Sequence, residues 1–158
     1  MKKVLILIAA ITISASVFAQ DYDRAVGLRI GAGVSANYKT FLSSTNAFQV
    51  DLGLTNLFSK HSLNLLVSGT YLWHWGTEIN RLSLYAGPGA SVGLYLGQEK
   101  GEGEKSALAL SVDALGGLEY TFKNLPMAIS LDYRPQINLL NKPIFNFSGV
   151  GLGIKYTF

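Results

Sequence analysis

Apolar and polar positions alternate strictly along the last ten residues of the chain. One side of this segment carries Val150, Leu152, Ile154, Tyr156 and Phe158, and the other carries Gly149, Gly151, Gly153, Lys155 and Thr157. Successive side chains of a β-strand point to opposite faces, so a period of two predicts a strand. One face of this strand is apolar and ends in two aromatic residues, and the other is small or polar.

The same alternation recurs in six further segments that are separated by turn residues. One of them, LNLLVSGTYLW, alternates less cleanly because Leu66 and Leu72 fall on its polar side. Helical periodicity is absent from these segments, and several exceed the average strand length of globular proteins. The pattern therefore predicts an all-β chain. The six segments are 25–38, 46–54, 63–73, 82–96, 108–122 and 127–134.

The polar faces carry few charges for a surface that would meet water. They consist mostly of Gly, Ser, Thr and Asn. A soluble barrel would present dense Lys, Glu and Asp, whereas a narrow barrel interior needs small side chains and charges that pair. We therefore expect the apolar faces to contact lipid, outside a closed antiparallel transmembrane β-barrel that leaves no backbone edge unpaired. A soluble periplasmic lipid-binding barrel is the alternative. The charged residues that we expect to form a salt-bridge network in the lumen are Arg29, Asp51, Asp113, Glu119, Asp132, Arg134 and Lys155.

Aromatic residues concentrate near the predicted strand ends, which is typical of the interfacial girdles of outer-membrane barrels. His74 stands between two tryptophans, and we interpret it as an interfacial residue too. The aromatic set is Tyr38, Phe58, Tyr71, Trp73, Trp75, Tyr120, Phe122, Tyr133, Tyr156 and Phe158.

An outer-membrane barrel with both ends in the periplasm has an even number of strands, so seven segments are one too few. We place a hairpin at Gly31-Ala32-Gly33, which splits the first segment and gives eight strands. The loops 98–105 and 135–145 then lie outside the cell, and the short turns FLSSTN, HWGTE and KNLP face the periplasm. A short strand near Ile137–Leu140 would also restore an even number, but it would invert several loops. Pro88, between two glycines, is expected to mark a β-bulge.

Residues 1–19 have the features of a secretory signal peptide. Two lysines form a basic start, 4–13 form an apolar core, and small residues precede a predicted cleavage site after Ala19. The apolar run is short for a transmembrane helix, which is the alternative. We therefore expect an exported protein whose mature domain, 20–158, is the barrel.

Composition removes several classes of protein. The chain has no Cys, which excludes a disulfide scaffold, thiol catalysis and Cys-based zinc sites. The formal net charge is +3 at pH 7, and two of the basic residues belong to the predicted signal peptide. No basic run is dense enough for nucleic-acid binding, so we expect no nucleic-acid partner.

The terminal KYTF, with Ile154 upstream, resembles the C-terminal insertion signal of outer-membrane barrels. In that signal the last residue is aromatic, as is the residue two positions before it. The whole mature chain is similar to small barrels of the OmpX or OmpA-transmembrane kind, and GLEYTF and ISLDYRP also resemble a group of uncharacterised Gram-negative barrels. The resemblance implies insertion by the outer-membrane barrel machinery with periplasmic chaperones, and it carries over no catalytic residue. The residues of the implied signal are Ile154, Tyr156 and Phe158.

Candidate chemistry is sparse. His61 abuts Ser62, but neighbours on a strand point to opposite faces and cannot form a nucleophile–base pair. His74 is too far along the segment to cooperate with His61. The interior carboxylates could form an acid–base set, but salt bridges to interior cations are the simpler interpretation. We therefore expect no catalytic residue, no metal site and no cofactor.

The sequence thus predicts a monomeric integral outer-membrane barrel with a structural or surface-interaction role. An eight-stranded barrel is filled by its own side chains, so we expect no large pore. The loop QEKGEGEK at 98–105 could bind divalent cations, lipopolysaccharide or a surface partner, or could simply be solvated. A lipid-modifying outer-membrane enzyme is the alternative function.

Overall fold

The computed structural model describes residues 22–31, 33–55, 63–96, 108–139, 145–146 and 149–158. The predicted signal peptide, His61, Phe58 and the loop 98–105 lie outside these residues. Within them, no helix has the length and hydropathy of a membrane-spanning helix. The strands are β1 Arg24–Ile30, β2 Gly33–Phe41, β3 Asn46–Thr55, β4 Leu63–Gly76, β5 Leu82–Leu96, β6 Leu108–Thr121, β7 Met127–Tyr133, β8 Gln136–Asn138, β9 Phe145–Asn146 and β10 Val150–Thr157.

The strands form one closed antiparallel barrel. Each of β1 to β6 pairs with its sequence neighbours, β7 lies between β6 and β10, and β10 returns to β1. The short β8 continues along β6 in the register of β7 and then pairs with β9. The ten segments therefore make eight barrel strands, with β7–β8 as the seventh and β9–β10 as the eighth. The predicted fold class is confirmed.

The predicted first hairpin is confirmed as well. β1 ends at Ile30 and β2 begins at Gly33, and the Gly31 N–H donates to the Gly33 carbonyl at 2.8 Å. Gly31 has no room for a side chain, because a β-carbon there would meet the Val150 carbonyl. The alternative strand near Ile137 exists only as β8, an extension of β7, and it inverts no loop.

The predicted bulge at Pro88 is wrong. The pairs Thr70–Gly89 and Trp73–Ala86 keep one register, so β5 holds no extra residue, although the β4–β5 ladder is unpaired between these pairs. Proline has no N–H to donate to the ladder, and β5 pairs with β6 without interruption through Pro88 and Ala114. The two strands approach closely here, since a β-carbon at Gly87 would overlap the Tyr71 carbonyl.

Exposure is inverted relative to a water-soluble protein. In β10, Leu152 is 65% exposed and Lys155 is 2% exposed. The same alternation continues through the other barrel strands, with large apolar side chains outside and polar side chains buried. The apolar core of the described residues is small and consists of Ala47, Leu72, Tyr85 and Leu115. Water-soluble domains instead bury their large apolar residues and rarely bury charges.

Directly paired residues shift along the barrel axis from one strand to the next around the wall. A row of directly paired residues starts at Gly27 in β1 and arrives at Asn138 in β8, beyond the end of β7. This stagger is the shear that tilts the strands of a barrel. Residues far apart along the chain are thereby brought to one level of the lumen. The row consists of Gly27, Asn37, Asp51, Ser68, Ser91, Ser111 and Asn138.

Candidate functional site: the charged lumen

The structure places all seven predicted lumen residues on the inner face of the wall. Glu119, Asp51 and Lys155 are 1 to 2% exposed. The inward faces of β1 and β10 carry glycines, and these let long charged side chains lie flat against the wall. A β-carbon at Gly151 would lie 2.5 Å from the Arg29 Cζ. The charged residues form two clusters.

The Glu119 cluster lies at the end of the barrel where β1 begins and β10 ends. Glu119 Oε1 accepts hydrogen bonds from Lys39 Nζ at 2.6 Å and from the Tyr22 hydroxyl at 2.5 Å, and Oε2 accepts from Lys155 Nζ at 2.6 Å. All three charged side chains are at most 2% exposed. One carboxylate therefore pairs with two buried lysine side chains, and the cluster has one more basic group than acidic groups.

An aromatic layer surrounds the two lysines. Lys39 Nζ lies 5.4 Å from the centre of the Tyr85 ring and 5.4 Å from the centre of the Phe41 ring, and Lys155 Nζ lies 5.5 Å from the Tyr85 ring. His74 packs between these rings, 4.8 Å from Phe41 and 5.3 Å from Tyr85. The cation–π contacts offset part of the excess positive charge. The layer and the Glu119 cluster together fill this part of the lumen with buried side chains.

The arginine cluster lies above, toward the first hairpin. Arg29 Nε donates to Asp132 at 2.5 Å, and a second guanidinium nitrogen donates to the Gly149 carbonyl at 2.6 Å. Arg134 donates to Asp51 at 2.5 Å and to Ser68 at 3.1 Å. The Tyr85 hydroxyl donates to Asp132 at 3.1 Å and so links the two clusters.

Asp113 belongs to neither cluster. It is 7% exposed, and its Oδ2 accepts a hydrogen bond from the Ser91 hydroxyl. Among the described residues, no basic group lies within ion-pair distance of it. Its Oδ1 has no hydrogen-bond partner. The expected network thus includes ion pairs for six of the seven predicted residues, and Asp113 is brought to the lumen without one.

Several lumen residues escaped the sequence analysis. Lys39 continues the inward set after Asn37, but the predicted segment ends at Tyr38. His74 is wrongly interpreted as interfacial: it is 1% exposed and points into the lumen. Residues two apart on a strand share a face, so the position of Leu72 on the polar face of the segment could have placed His74 there too. Tyr85 lies on the polar face of its segment, and this position could have predicted that it points into the lumen.

The site offers little catalytic chemistry. Neither ring nitrogen of His74 has a hydrogen-bond partner, so no serine or threonine of the described part is paired with it as a nucleophile. No group of three His, Cys, Asp or Glu residues within the described ranges could hold a metal ion. What the lumen does provide is a set of buried ion pairs.

The outer surface carries an aromatic belt near the terminal end. Trp73 is 42% exposed and contacts Tyr71 at a ring separation of 5.2 Å. Tyr120 contacts Phe122 at 5.3 Å, and Tyr156 lies 6.2 Å from Phe158. Above the belt the exposed side chains are mainly Val, Leu and Ile.

Comparisons with solved structures find small barrels of the same fold. The chain is similar to the N-terminal β-barrel domain of Pseudomonas aeruginosa OprF, with a TM-score of 0.65 and 16% identity over 85% of this chain and 95% of that one. It is similar to Neisserial surface protein A (NspA), with a TM-score of 0.58 and 14% identity over 86% of this chain and 94% of that one. A third match is the Yersinia pestis outer membrane protein Ail in a phospholipid bilayer nanodisc, with a TM-score of 0.47 and 14% identity over 85% and 97%. No family model and no curated protein matches the sequence. At these identities the matches to OprF and NspA establish the eight-stranded barrel fold and no more.

Proposed function

We propose that this chain is an integral outer-membrane barrel with a structural or surface-interaction role. One observation carries the proposal: the barrel strands direct large apolar side chains outward, while their charged residues, apart from the exposed Arg24 at the start of β1, lie on the inner face. Exposed apolar area of this extent is a liability in water and is stabilised by hydrocarbon. The folds of OprF and NspA support the same reading.

The orientation of the barrel in the outer membrane follows from the aromatic belt and the lengths of the turns. The start of β1 and the end of β10 lie at the belt end, where Arg24 and Phe158 exchange backbone hydrogen bonds of 2.8 Å. The connections at this end are short, and in outer-membrane barrels the short turns face the periplasm. We therefore assign the terminal end to the periplasm and the first hairpin to the outer side.

The filled lumen argues against a large pore. The Glu119 cluster and its aromatic layer close the periplasmic end, and an eight-stranded barrel has room only for side chains. Surface interaction through the outer connections is therefore the role that the geometry supports best. The sequence resemblance implies assembly by the barrel insertion machinery, with the C-terminal Ile154, Tyr156 and Phe158 as the signal.

Cell fractionation combined with surface proteolysis tests the proposal. A protease site inserted between β5 and β6 should be cleaved in intact cells, and one inserted in the turn after Phe122 should be cleaved only after the outer membrane is opened. Recovery of the folded mature chain from the soluble periplasm, without detergent, would refute the proposal in favour of a soluble lipid-binding barrel.

Lipid modification is the competing function from another class. Mass spectrometry of lipid A from cells with and without the gene separates the two functions. An unchanged acyl pattern is expected. A gene-dependent change would overturn the structural role while leaving the membrane location intact.

A further inference from the structure

We propose that a cleft at the periplasmic rim of the barrel binds the zwitterionic phosphoethanolamine headgroup of a phospholipid, with the phosphate at Arg24 and the ammonium group at Asp23. The cleft has a volume of about 370 Å³ and is lined by Asp23, Arg24, Thr40, Phe41 and Phe158. Small-ligand sites commonly have volumes of about 300–1,000 Å³. The inference rests on the proposed location in the outer membrane and assigns one specific lipid contact there.

Three of the lining residues lie side by side on the lipid-facing side of the wall. Arg24 pairs with Thr40 of β2 and exchanges backbone hydrogen bonds with Phe158. Arg24 also lies two positions before Val26, which is 47% exposed, and residues two apart on a strand share a face. Directly paired residues of neighbouring strands point to the same side of a sheet. The guanidinium of Arg24 therefore faces outward between a hydroxyl and an aromatic ring.

The other two lining residues place the cleft at the rim. The ring of Phe41 turns toward the lumen, where it contacts the rings of Tyr22 and His74. Asp23 precedes β1 and is exposed, and its carbonyl accepts a hydrogen bond from the Phe41 N–H at 2.9 Å. The cleft therefore opens where the lipid face of the wall meets the end of the barrel. It includes Phe158 of the aromatic belt, and belts of this kind lie at the depth of the lipid headgroups.

Arg24 differs from the other charged residues of the barrel strands. Those residues point into the lumen, whereas Arg24 is exposed on the outer side. It takes part in none of the ion pairs that the described residues form. An arginine on a lipid-facing surface near the interface extends its charged end toward the headgroups. Phosphate is the anionic group of a phospholipid at that depth, and a planar guanidinium can donate two parallel N–H bonds to it.

Asp23 favours one class of headgroup. The cleft carries one acidic and one basic side chain, so it presents both signs of charge. A carboxylate offers about four acceptor positions, so a lipid ammonium group adds to the contacts that Asp23 already makes. The phosphoglycerol headgroup is anionic and brings no positive group to this carboxylate. The cleft is therefore complementary to a zwitterionic headgroup rather than to an anionic one.

Lipid binding to the folded barrel tests the site. The full chain is expressed in cells, and the barrel is purified in detergent and titrated with dioleoyl phosphatidylethanolamine or dioleoyl phosphatidylglycerol. Native mass spectrometry counts the lipids that stay bound. We expect one saturable lipid per barrel, with phosphatidylethanolamine bound at least about threefold more tightly than phosphatidylglycerol. Arg24→Gln should weaken the binding of both lipids at least about fivefold, and Asp23→Asn should weaken only that of phosphatidylethanolamine and so remove the preference.

Lys123→Gln is the matched control, because Lys123 is an exposed basic residue in the turn after Phe122, at the same end of the barrel and outside the cleft. This variant should bind both lipids as the unmodified barrel does. Free phosphoethanolamine at the same concentration as the lipid should not displace it, since the headgroup alone lacks the acyl chains that lie along the wall. Displacement would indicate a site for a soluble phosphate compound and would overturn the proposal.

Folding of every variant is checked by heat-modifiable migration on gels, and Asp23→Asn carries the test if Arg24→Gln fails to fold. Equal binding of the two lipids by the unmodified barrel would overturn the proposal, as would binding that Arg24→Gln leaves unchanged. Either result leaves the proposed membrane location standing, because cell fractionation tests that location separately. Recovery of the folded chain from the soluble periplasm would instead refute the location itself, whichever headgroup the cleft selects.

Discussion

Replacing Glu119 by glutamine should destabilise the barrel strongly, since this carboxylate is the shared ion-pair partner of two buried lysines. Glu119→Gln keeps the size of the side chain and removes its charge. Lys39 and Lys155, which are 0% and 2% exposed, would then share the lumen without an anion within hydrogen-bond distance. The remaining amide also has only one acceptor oxygen for three donors.

The size of the effect follows from the contacts. Glu119 accepts three hydrogen bonds of 2.5 to 2.6 Å, two of them from ammonium groups. Hydrogen bonds to charged groups contribute about 1.5–3 kcal/mol each, and the amide retains part of this. Breaking a buried ion pair by removing one partner costs about 3–5 kcal/mol. We therefore expect the free energy of unfolding to fall by about 3–5 kcal/mol.

Urea unfolding of the refolded barrel in detergent micelles measures this change, with the fluorescence of Trp73 and Trp75 as the signal. Asp113→Asn is the matched control, because it neutralises another lumen carboxylate of β6 that makes no ion pair. It should change the free energy of unfolding much less than Glu119→Gln does, because Asp113 accepts a hydrogen bond from Ser91 and makes no ion pair among the described residues. Adding Lys155→Met to Glu119→Gln should restore part of the loss. If the free energy of unfolding of Glu119→Gln lay within about 0.5 kcal/mol of that of the unmodified barrel, the described role of the Glu119 cluster would be wrong.

Three further changes test other parts of the structure. Leu152→Arg places a charge on the lipid face of β10 at a cost of about 2–4 kcal/mol near the midplane, so its level in the outer membrane should fall well below that of Leu152→Ala; equal levels would contradict the assigned facing. Deleting Phe158 should reduce heat-modifiable barrel in cells, whereas Phe158→Tyr should not, and full assembly of the deletion would remove the terminal signal from the account. Gly151→Ala pushes a methyl group against the Arg29 guanidinium and should lower the free energy of unfolding by about 1–3 kcal/mol, measured by urea titration against Gly93→Ala; a smaller loss than the control would show that Arg29 moves freely.

Alternation explains why the fold was predictable from the sequence. A period of two assigns each residue to a face without any knowledge of its neighbours in space, so Asp51, Glu119 and Lys155 could be placed in the lumen. The eighth strand followed from parity together with the glycines around Ala32. The β7–β8 continuation was not predicted, because Pro135 reads as a loop signal while the register on β6 resumes beyond it.

The pairing of the interior charges could not be predicted in the same way. Which residues meet depends on the shear, since the stagger brings Lys39 of β2 to the level of Glu119 on β6, 80 positions away. Alternation contains no information on shear. His74 shows a related limit. Its two neighbouring tryptophans suggested an interfacial position, but the alternation of the strand decides which face it lies on. In this segment apolar and polar residues alternate less cleanly than in the others, so the face of His74 was harder to assign from the pattern.

The pairing of β1 with β10 brings the beginning and the end of the barrel to adjacent positions, with Arg24 and Phe158 joined by two backbone hydrogen bonds. A short linker could therefore connect them, and new ends could be opened in the turn after Phe41, producing a circularly permuted barrel with every ladder intact. In such a permutant the carboxyl group of Phe158 becomes part of a peptide bond, so the chain no longer ends on this aromatic residue. Comparing the folding of this permutant in micelles with its assembly in cells would separate the requirements of the closed strand ladder from those of the export pathway.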